Sequence, residues 1–432
     1  MLKNFFITAI FLFITASMSS AGLIADENMT YQLFGKASIE AGEVVSGQNN
    51  SPNALDHLWL ERTTLHLGLE AIYKEQLKIN VVVEGNMLFP HPYYTEAAEL
   101  HVFYPINGFS VYQAFGTYTF IGDISKPKLE IGAGLFPFKF DPYSTNLGEY
   151  PLRSSCYPSL TQNSFDQDSV RVLGLRASSN IGDLKLDLLL TSEINYWPLM
   201  DFSLAGFAEY KLFNFIDLGL GINFYRLFPV EASKTTPKII DNQIPYTGAD
   251  TSKIEYYTFA GTMVNARLAL DLKEIPKALG VSTDIFGHKD LWLYGELAVL
   301  GLKDYEYMYD TLSQRMPLMM GFNFPCFKLL DVFSIECEYW DNPHVNSYRG
   351  IWSNQLPQWP PEKNDQTDKA KWKWSVYAKK SVLKDHVQLM FQIARDHYFL
   401  PVYNNSVTVA DAEETLKQYK DYAWWMKIQF NF

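Results

Sequence analysis

Apolar residues recur at every second position along most of this chain. Residues 75–88 place Leu77, Ile79, Val81, Val83 and Met87 on one face, with Lys78, Asn80, Glu84 and Asn86 on the other. Residues 183–194 set Leu184, Leu186, Leu188 and Leu190 against Lys185, Asp187, Thr191 and Glu193. The same division separates Phe202, Leu204, Gly206, Ala208, Tyr210 and Leu212 from Asp201, Ser203, Glu209 and Lys211. It also separates Trp372, Trp374, Val376 and Ala378 from Lys371, Lys373, Ser375, Tyr377 and Lys379. A helix would scatter these charges around its axis. Here they fall on one side, which predicts strands with one apolar and one wet face.

Read this way, the chain contains sixteen expected strands, near 30–42, 57–72, 75–88, 109–121, 127–140, 168–179, 183–193, 200–213, 216–228, 255–270, 290–302, 315–324, 331–341, 370–380, 386–398 and 419–432. Their connections alternate. Tight ones fall at Lys74, 122–126, 180–182, 214–215, 325–330 and 381–385. Long ones fall at 43–56, 89–108, 141–167, 229–254, 341–369 and 399–418. Two depart from the rule: 271–289 is longer than its place requires, and 194–199 is shorter. A small helix is expected between Asp271 and Gly280.

Composition narrows the fold class. The 432 residues are 47% hydrophobic and 16% aromatic but only 19% charged, and the mean hydropathy is −0.12. A chain of membrane helices would raise that mean, and a disordered chain would not carry so many rings. Beyond the first residues no apolar run approaches the eighteen or so that a membrane helix needs. A β-sandwich also alternates, but its strands commonly run to about five or six residues. Many here reach the nine to eleven or so that cross hydrocarbon when tilted. In lipid an open sheet edge leaves backbone groups unsatisfied, so the sheet must close. The expected fold is all-β, a closed antiparallel transmembrane barrel of about sixteen strands with short turns at one rim and long loops at the other.

The two ends of the chain sharpen this reading. Lys3, an apolar core from Phe5 to Thr15, and small residues at Ser19 and Ala21 read as a secretory signal spanning 1–21, cleaved after Ala21, with residues 22–432 as one barrel domain. Removing Lys3 with the signal takes the net charge from −12 to −13. Such an acidic chain speaks against nucleic acid as a partner. The three cysteines Cys156, Cys326 and Cys337 allow one disulfide at most. At the other end Tyr422, Trp424, Met426, Ile428, Phe430 and Phe432 share one face, and Trp425 alone breaks the alternation. This resembles the terminal strand of bacterial outer-membrane barrels, whose last Phe forms part of the assembly signal. The resemblance implies the bacterial outer membrane as location, with its lipid and the barrel assembly machinery as partners.

A barrel of sixteen strands encloses a water-filled lumen. The polar faces supply its expected lining: Arg62, Lys78, Glu84, Lys128, Glu130, Lys185, Asp187, Glu209, Lys211, Arg267, Glu296, Glu336, Glu338, Lys371 and Lys373. Charges of both signs along a narrow passage select ions and solutes through their local field. The long connection 141–167 carries three prolines, with Glu149 close to Arg153. Its position after the fifth strand resembles the third extracellular loop of general trimeric porins, which folds into the lumen and sets the constriction. That resemblance implies Asp141, Glu149, Asp166 and Asp168 as the acidic part, Arg153 beside them, and Arg62, Lys78, Lys128, Lys371 or Lys373 as a facing basic part. It implies passive diffusion of small hydrophilic solutes or ions, and leaves a homotrimer open. The acidic balance points to a cation preference.

Twelve rings near strand ends are expected as two aromatic girdles: Trp59, Tyr73, Phe89, Phe120, Phe138, Phe213, Phe228, Trp292, Phe324, Trp340, Trp372 and Tyr398. No catalytic pattern emerges. The eight histidines show no HExxH spacing, and there is no GxSxG, phosphate-cradling glycine loop or EF-hand loop. No enzyme, metal or cofactor is therefore expected. The competing reading is a non-conducting barrel for glycan binding, adhesion or scaffolding, on Tyr305, Tyr307, Tyr309, Trp352 and Trp359.

Overall fold

The computed structural model describes residues 28–47, 56–91, 106–153, 169–194, 200–213, 215–228, 235–237, 256–258, 260–302, 311–342, 346, 371–399, 402–403, 409–411 and 414–432. The expected signal, Cys156, Asp166, Asp168, Tyr305, Tyr307, Tyr309, Trp352 and Trp359 lie outside these residues.

Sixteen antiparallel strands form one closed barrel. They are β1 (Met29–Ser46), β2 (Leu58–Tyr73), β3 (Leu77–His91), β4 (Ile106–Asp123), β5 (Lys126–Phe138), β6 (Val170–Ile181), β7 (Leu184–Ser192), β8 (Phe202–Leu212), β9 (Ile216–Phe228), β10 (Gly261–Asp271), β11 (Trp292–Val299), β12 (Leu318–Asn323), β13 (Val332–Tyr339), β14 (Trp372–Val382), β15 (Val387–Arg395) and β16 (Tyr422–Asn431). Each strand pairs with the next in sequence, and β16 returns to β1 in a register running from Lys36↔Asn431 to Ser46↔Tyr422, with a bulge between Val44 and Ser46. Gly35 and Phe432 complete the seam with reciprocal backbone bonds of 2.7 and 3.0 Å.

All sixteen expected strands are present. One is displaced: the strand expected from residue 255 starts at Gly261, where pairing with β9 begins opposite Tyr225. The preceding Tyr256–Thr258 pairs instead with Thr235–Pro237 in a small separate hairpin, and Val402–Tyr403 pairs with Val409–Asp411 in another. Tight turns share one rim. Lys74 and Glu75 both take positive φ, 50° and 55°, and Gln76 N–H donates to Tyr73 O, the geometry that joins twisted strands in two residues. The longer connection 272–291 lies on this same rim and contains the expected helix, α1 (Glu274–Ala278). The brief connection 193–201 lies on the opposite rim, closed by Glu193 N–H on Asp201 O and Met200 N–H on Glu193 O.

Burial alternates with the sequence, but inverted relative to a water-soluble protein. Leu188, Leu220 and Met320 face outward and are 53%, 65% and 56% exposed, whereas inward Asp187, Ser203 and Glu336 are 3%, 0% and 0% exposed. Exposed apolar rows on this scale mark a contact surface. The interior is not uniformly wet, however. One dry cluster joins Phe136, Phe138, Phe140, Leu152, Leu189 and Phe207; a second joins Leu147, Tyr150, Tyr225, Met263, Tyr294 and Trp340; a third joins Leu60, Tyr377, Tyr398, Leu416 and Trp425.

These clusters correct the girdle assignment. Tyr73, Phe120, Phe213, Phe228 and Trp372 are exposed. Phe138, Trp340 and Tyr398 are buried in the interior clusters instead, and Trp292 stacks inward on Tyr143 at 4.4 Å. The reason is parity: Phe138, Trp292 and Trp340 share the inward phase of their strands. Trp425, which broke the terminal alternation, points inward against Tyr398 at 4.9 Å.

Gly134 is required by its backbone. Its φ is +123°, and a Cβ there would overlap the Ala114 carbonyl oxygen, whereas a Cβ at Gly85 meets nothing within 4 Å. Gly134→Ala is expected to cost about 1–3 kcal/mol in urea unfolding of the refolded barrel. Gly85→Ala should stay within about 0.5 kcal/mol of the parent; equal effects would contradict the assigned strain.

Candidate functional site in the barrel interior

The chain leaves β5 at Phe138 and folds inward. Residues 139–153 first build a compact unit of their own. Glu149 turns its carboxylate back to accept the Phe140 and Asp141 N–H groups. Asp141 Oδ1 accepts Tyr143 N–H at 3.0 Å, a local Asx-type turn. Lys139 Nζ donates to Ser144 O at 2.8 Å and Arg153 Nε to Gly148 O at 2.8 Å. Phe140, Leu147, Tyr150 and Leu152 meanwhile bury their side chains in the dry clusters.

Carboxylates on the inner wall then hold this unit by its backbone. Glu336 on β13 accepts the N–H groups of Thr145, Asn146 and Leu147 at 2.6, 2.9 and 2.8 Å. Glu296 on β11 accepts those of Glu149 and Tyr150 at 2.6 and 2.9 Å. Successive backbone N–H groups pointing at one carboxyl group form a nest. Gly148 permits the approach: its φ is +75°, and a Cβ would lie 2.9 Å from Glu296 Oε2 and 2.7 Å from Met319 Cε. Side chains finish the docking. Tyr143 Oη donates to Asp217 at 2.7 Å and Tyr150 Oη to Glu338 at 2.9 Å. Arg267 lies across Gly219, 2.5 Å from Glu209 and 3.2 Å from Asp217, with its guanidinium over the Phe140 ring at 5.4 Å.

A second inward element comes from the connection between β15 and β16. His397 Nε2 meets Glu338 Oε1 at 2.6 Å, and its Nδ1 lies 3.4 Å from Glu414. Lys373 pairs with Glu414 and donates to Leu416 O at 2.7 Å. Arg395 donates to Tyr419 O at 2.7 Å. Burial would push the His397 proton off, but the carboxylates of Glu338 and Glu414 hold its pKa up at about 9. Burial likewise opposes ionisation of Glu414, yet Lys373 and His397 bring its pKa down to about 2. Glu338 thus grips both inward elements, one with each oxygen.

The expected constriction residues are distributed differently from the facing acidic and basic strips inferred from sequence. Asp141 and Glu149 are buried, Glu149 is spent on its own segment, and the wall opposite them is acidic. Glu296, Glu336 and Glu338 do face inward, but residues 139–153 and 396–399 cover them, so they anchor rather than line. Of the expected basic part, Arg62 lies 3.8 Å from Glu40, Lys78 is 2.5 Å from Glu70, Lys371 pairs with Asp341, and Lys373 is committed to Glu414. Lys128 and Glu130 sit near the short-turn end of β5 and keep solvent contact. Glu84 pairs with His66 at 2.8 Å, and Asp187 with Arg176 at 2.8 Å. Toward the short-turn rim, Lys185, Glu209, Lys211, Asp217, Tyr143 and Trp292 line a cavity of about 680 Å³. Among the described residues no group of His, Cys, Asp or Glu is arranged to hold a metal ion, and Cys326 and Cys337 are not bonded to each other.

Sequence reasoning missed the anchoring role of Glu296 and Glu336 and did not single out Tyr143, Tyr150 or Glu414. Glu336 and Glu338 beside Tyr339 were visible as inward charges, but nothing in the pattern names what docks on them.

Two measurements test the docking. Glu336→Ala is expected to speed hydrogen exchange at the Thr145, Asn146 and Leu147 amides by about tenfold or more; unchanged protection would remove Glu336 as the anchor. Asp141 is the second. Burial, and next the nearby charge of Glu149, raise its pKa to about 7, and among the described residues its Oδ2 has no hydrogen-bond partner. A carboxyl with a raised folded pKa stabilises most below its ordinary value of 3.8 and loses that contribution as pH rises toward 7. Asp141→Asn should therefore match the parent's thermal stability at pH 4 and exceed it at pH 8; an equal difference at both pH values contradicts this.

No family model matches the chain, and no curated protein matches it in sequence. Among solved structures it is similar to a Salmonella typhi OmpF in complex with daunomycin, at 11% identity over 95% of this chain and 100% of that one, with a TM-score of 0.48. It is also similar to a triple mutant of the Rhodopseudomonas blastica porin, at 7% identity over 93% of this chain and 100% of that one, with a TM-score of 0.46. The chain's own pairing settles the fold: sixteen antiparallel strands, closed β1 to β16, make one β-barrel.

Proposed function

We propose that this chain is a passive diffusion channel for small hydrophilic solutes or ions across the bacterial outer membrane. One observation carries the reading: a closed sixteen-strand wall is apolar outside, charged inside, and narrowed by a docked segment, residues 139–153. Sixteen strands are wide enough for an aqueous lumen. The apolar exterior suits hydrocarbon, where only a closed sheet satisfies its backbone. Asp141, Glu149 and Arg153 act by shaping the constriction segment rather than by presenting free charges. Solutes move down their gradient past wall pairs such as Arg62 with Glu40, Lys78 with Glu70 and His66 with Glu84, whose local field filters them. The acidic balance of the chain favours cations.

The location carries further expectations. Residues 1–21 direct export, and Tyr422, Trp424, Met426, Ile428, Phe430 and Phe432 present the outward face read by the assembly machinery. Of these, Met426 and Ile428 are exposed on the barrel exterior.

Reconstitution of the mature chain in a planar lipid bilayer tests the reading. Stepwise conductance is expected, and Glu149→Ala should change the step size or the ion selectivity by releasing the turn it holds. A correctly folded barrel that never conducts would overturn the channel.

A further inference from the structure

The tight-turn rim carries an apolar surface that the channel reading does not use. Ile275, Leu279, Val281 and Ile285 in the connection 272–291, with Phe327 and Leu329 in the connection 324–331, are 53–79% exposed. Ile275 and Leu279 stand four residues apart at α1 and so share a face. Contiguous exposed apolar side chains mark a contact surface.

These two connections are built as one body. Asp290 is fully buried and accepts the N–H groups of Gly287, Cys326 and Phe327 at 2.8, 3.0 and 3.1 Å. Phe286 stacks on Phe327 at 5.7 Å, and Lys273 donates to His288 O at 2.9 Å. The apolar groups are thus presented on a fixed support rather than on free loops.

Continuity with the barrel exterior identifies the occupant. Leu318 and Met320 on β12 are exposed outward. The rings of Phe322, Phe324 and Phe333 carry that surface down to the rim, with contacts of 4.8 and 5.6 Å. Phe327 follows Phe324 in the connection 324–331 and stacks on Phe286 of the connection 272–291. Aromatic rings at a strand end followed by apolar residues on a short amphipathic element are the arrangement of an interfacial anchor. Lys328, beside the apolar groups, has a long stem that lets its ammonium reach phosphate, while Lys277 pairs with Glu274 at 2.6 Å.

Resting on the membrane reading above, we infer that residues 274–286 and 326–329 form a platform that docks into the phospholipid headgroup layer on the short-turn side of the membrane.

The test uses the full mature chain in vesicles of phosphatidylethanolamine and phosphatidylglycerol. A photoreactive benzoylphenylalanine replaces Leu279, or Met320 on the outer wall, or Ser125 in the tight turn between β4 and β5. Each variant is first checked for its strand signal by circular dichroism. After illumination, phospholipid adducts are expected at 279 and at 320, both about tenfold above 125. Adducts at 320 but not at 279 overturn the platform while leaving the barrel in the membrane. Adducts joining two chains through position 279 overturn it in favour of a protein contact. Absence of adducts at both 279 and 320 refutes the membrane reading itself.

Discussion

Closure of the sheet on itself is the constraint on which the other features of this molecule depend. The bonds between β1 and β16 close the cylinder, leaving no edge along its wall. Once closed, the two faces of every strand have unequal surroundings. The outward face can be apolar without cost, and the inward face must reconcile charge with confinement. The period-two pattern is the sequence's record of that division.

Confinement explains the interior. A buried carboxylate is expensive unless several donors meet it. Glu336 and Glu296 meet backbone N–H groups of residues 139–153, which need acceptors just as much because they have left the sheet. The wall thus solves two problems with one set of bonds. Apolar residues then do inside the barrel what they do in any core: Phe140, Leu147 and Leu152 fix the segment against the wall. Glu338 joins this unit to the His397 and Glu414 element, so the two inward elements share a support.

Much of the wall is legible in the sequence. The strand expected at 183–193 is Leu184–Ser192, and the helix expected between Asp271 and Gly280 is Glu274–Ala278. These are local features, written in alternation and turn residues. The interior was legible only as a phase. Inward parity tells that Glu336 faces the barrel interior, but not whether water, an ion or a folded-in backbone will meet it. For the same reason Phe138, Trp340 and Tyr398 looked like girdle residues from their positions near strand ends. Their side chains are inward and dry because residues 139–153, 396–399 and 414–416 pack inside the barrel, a long-range event that strand periodicity does not encode. The hairpin that takes Tyr256–Thr258 away from β10 was hidden likewise, since its partner lies some twenty residues upstream.

The inverted wall itself is open to direct measurement. Nitroxide labels placed one at a time at Ala208, Glu209, Tyr210 and Lys211 in vesicle-embedded protein would report collisions with oxygen, which concentrates in hydrocarbon, and with a water-soluble nickel chelate. Oxygen should dominate at 208 and 210 and nickel at 209 and 211. One preference shared by all four positions would contradict a greasy exterior around a wet interior.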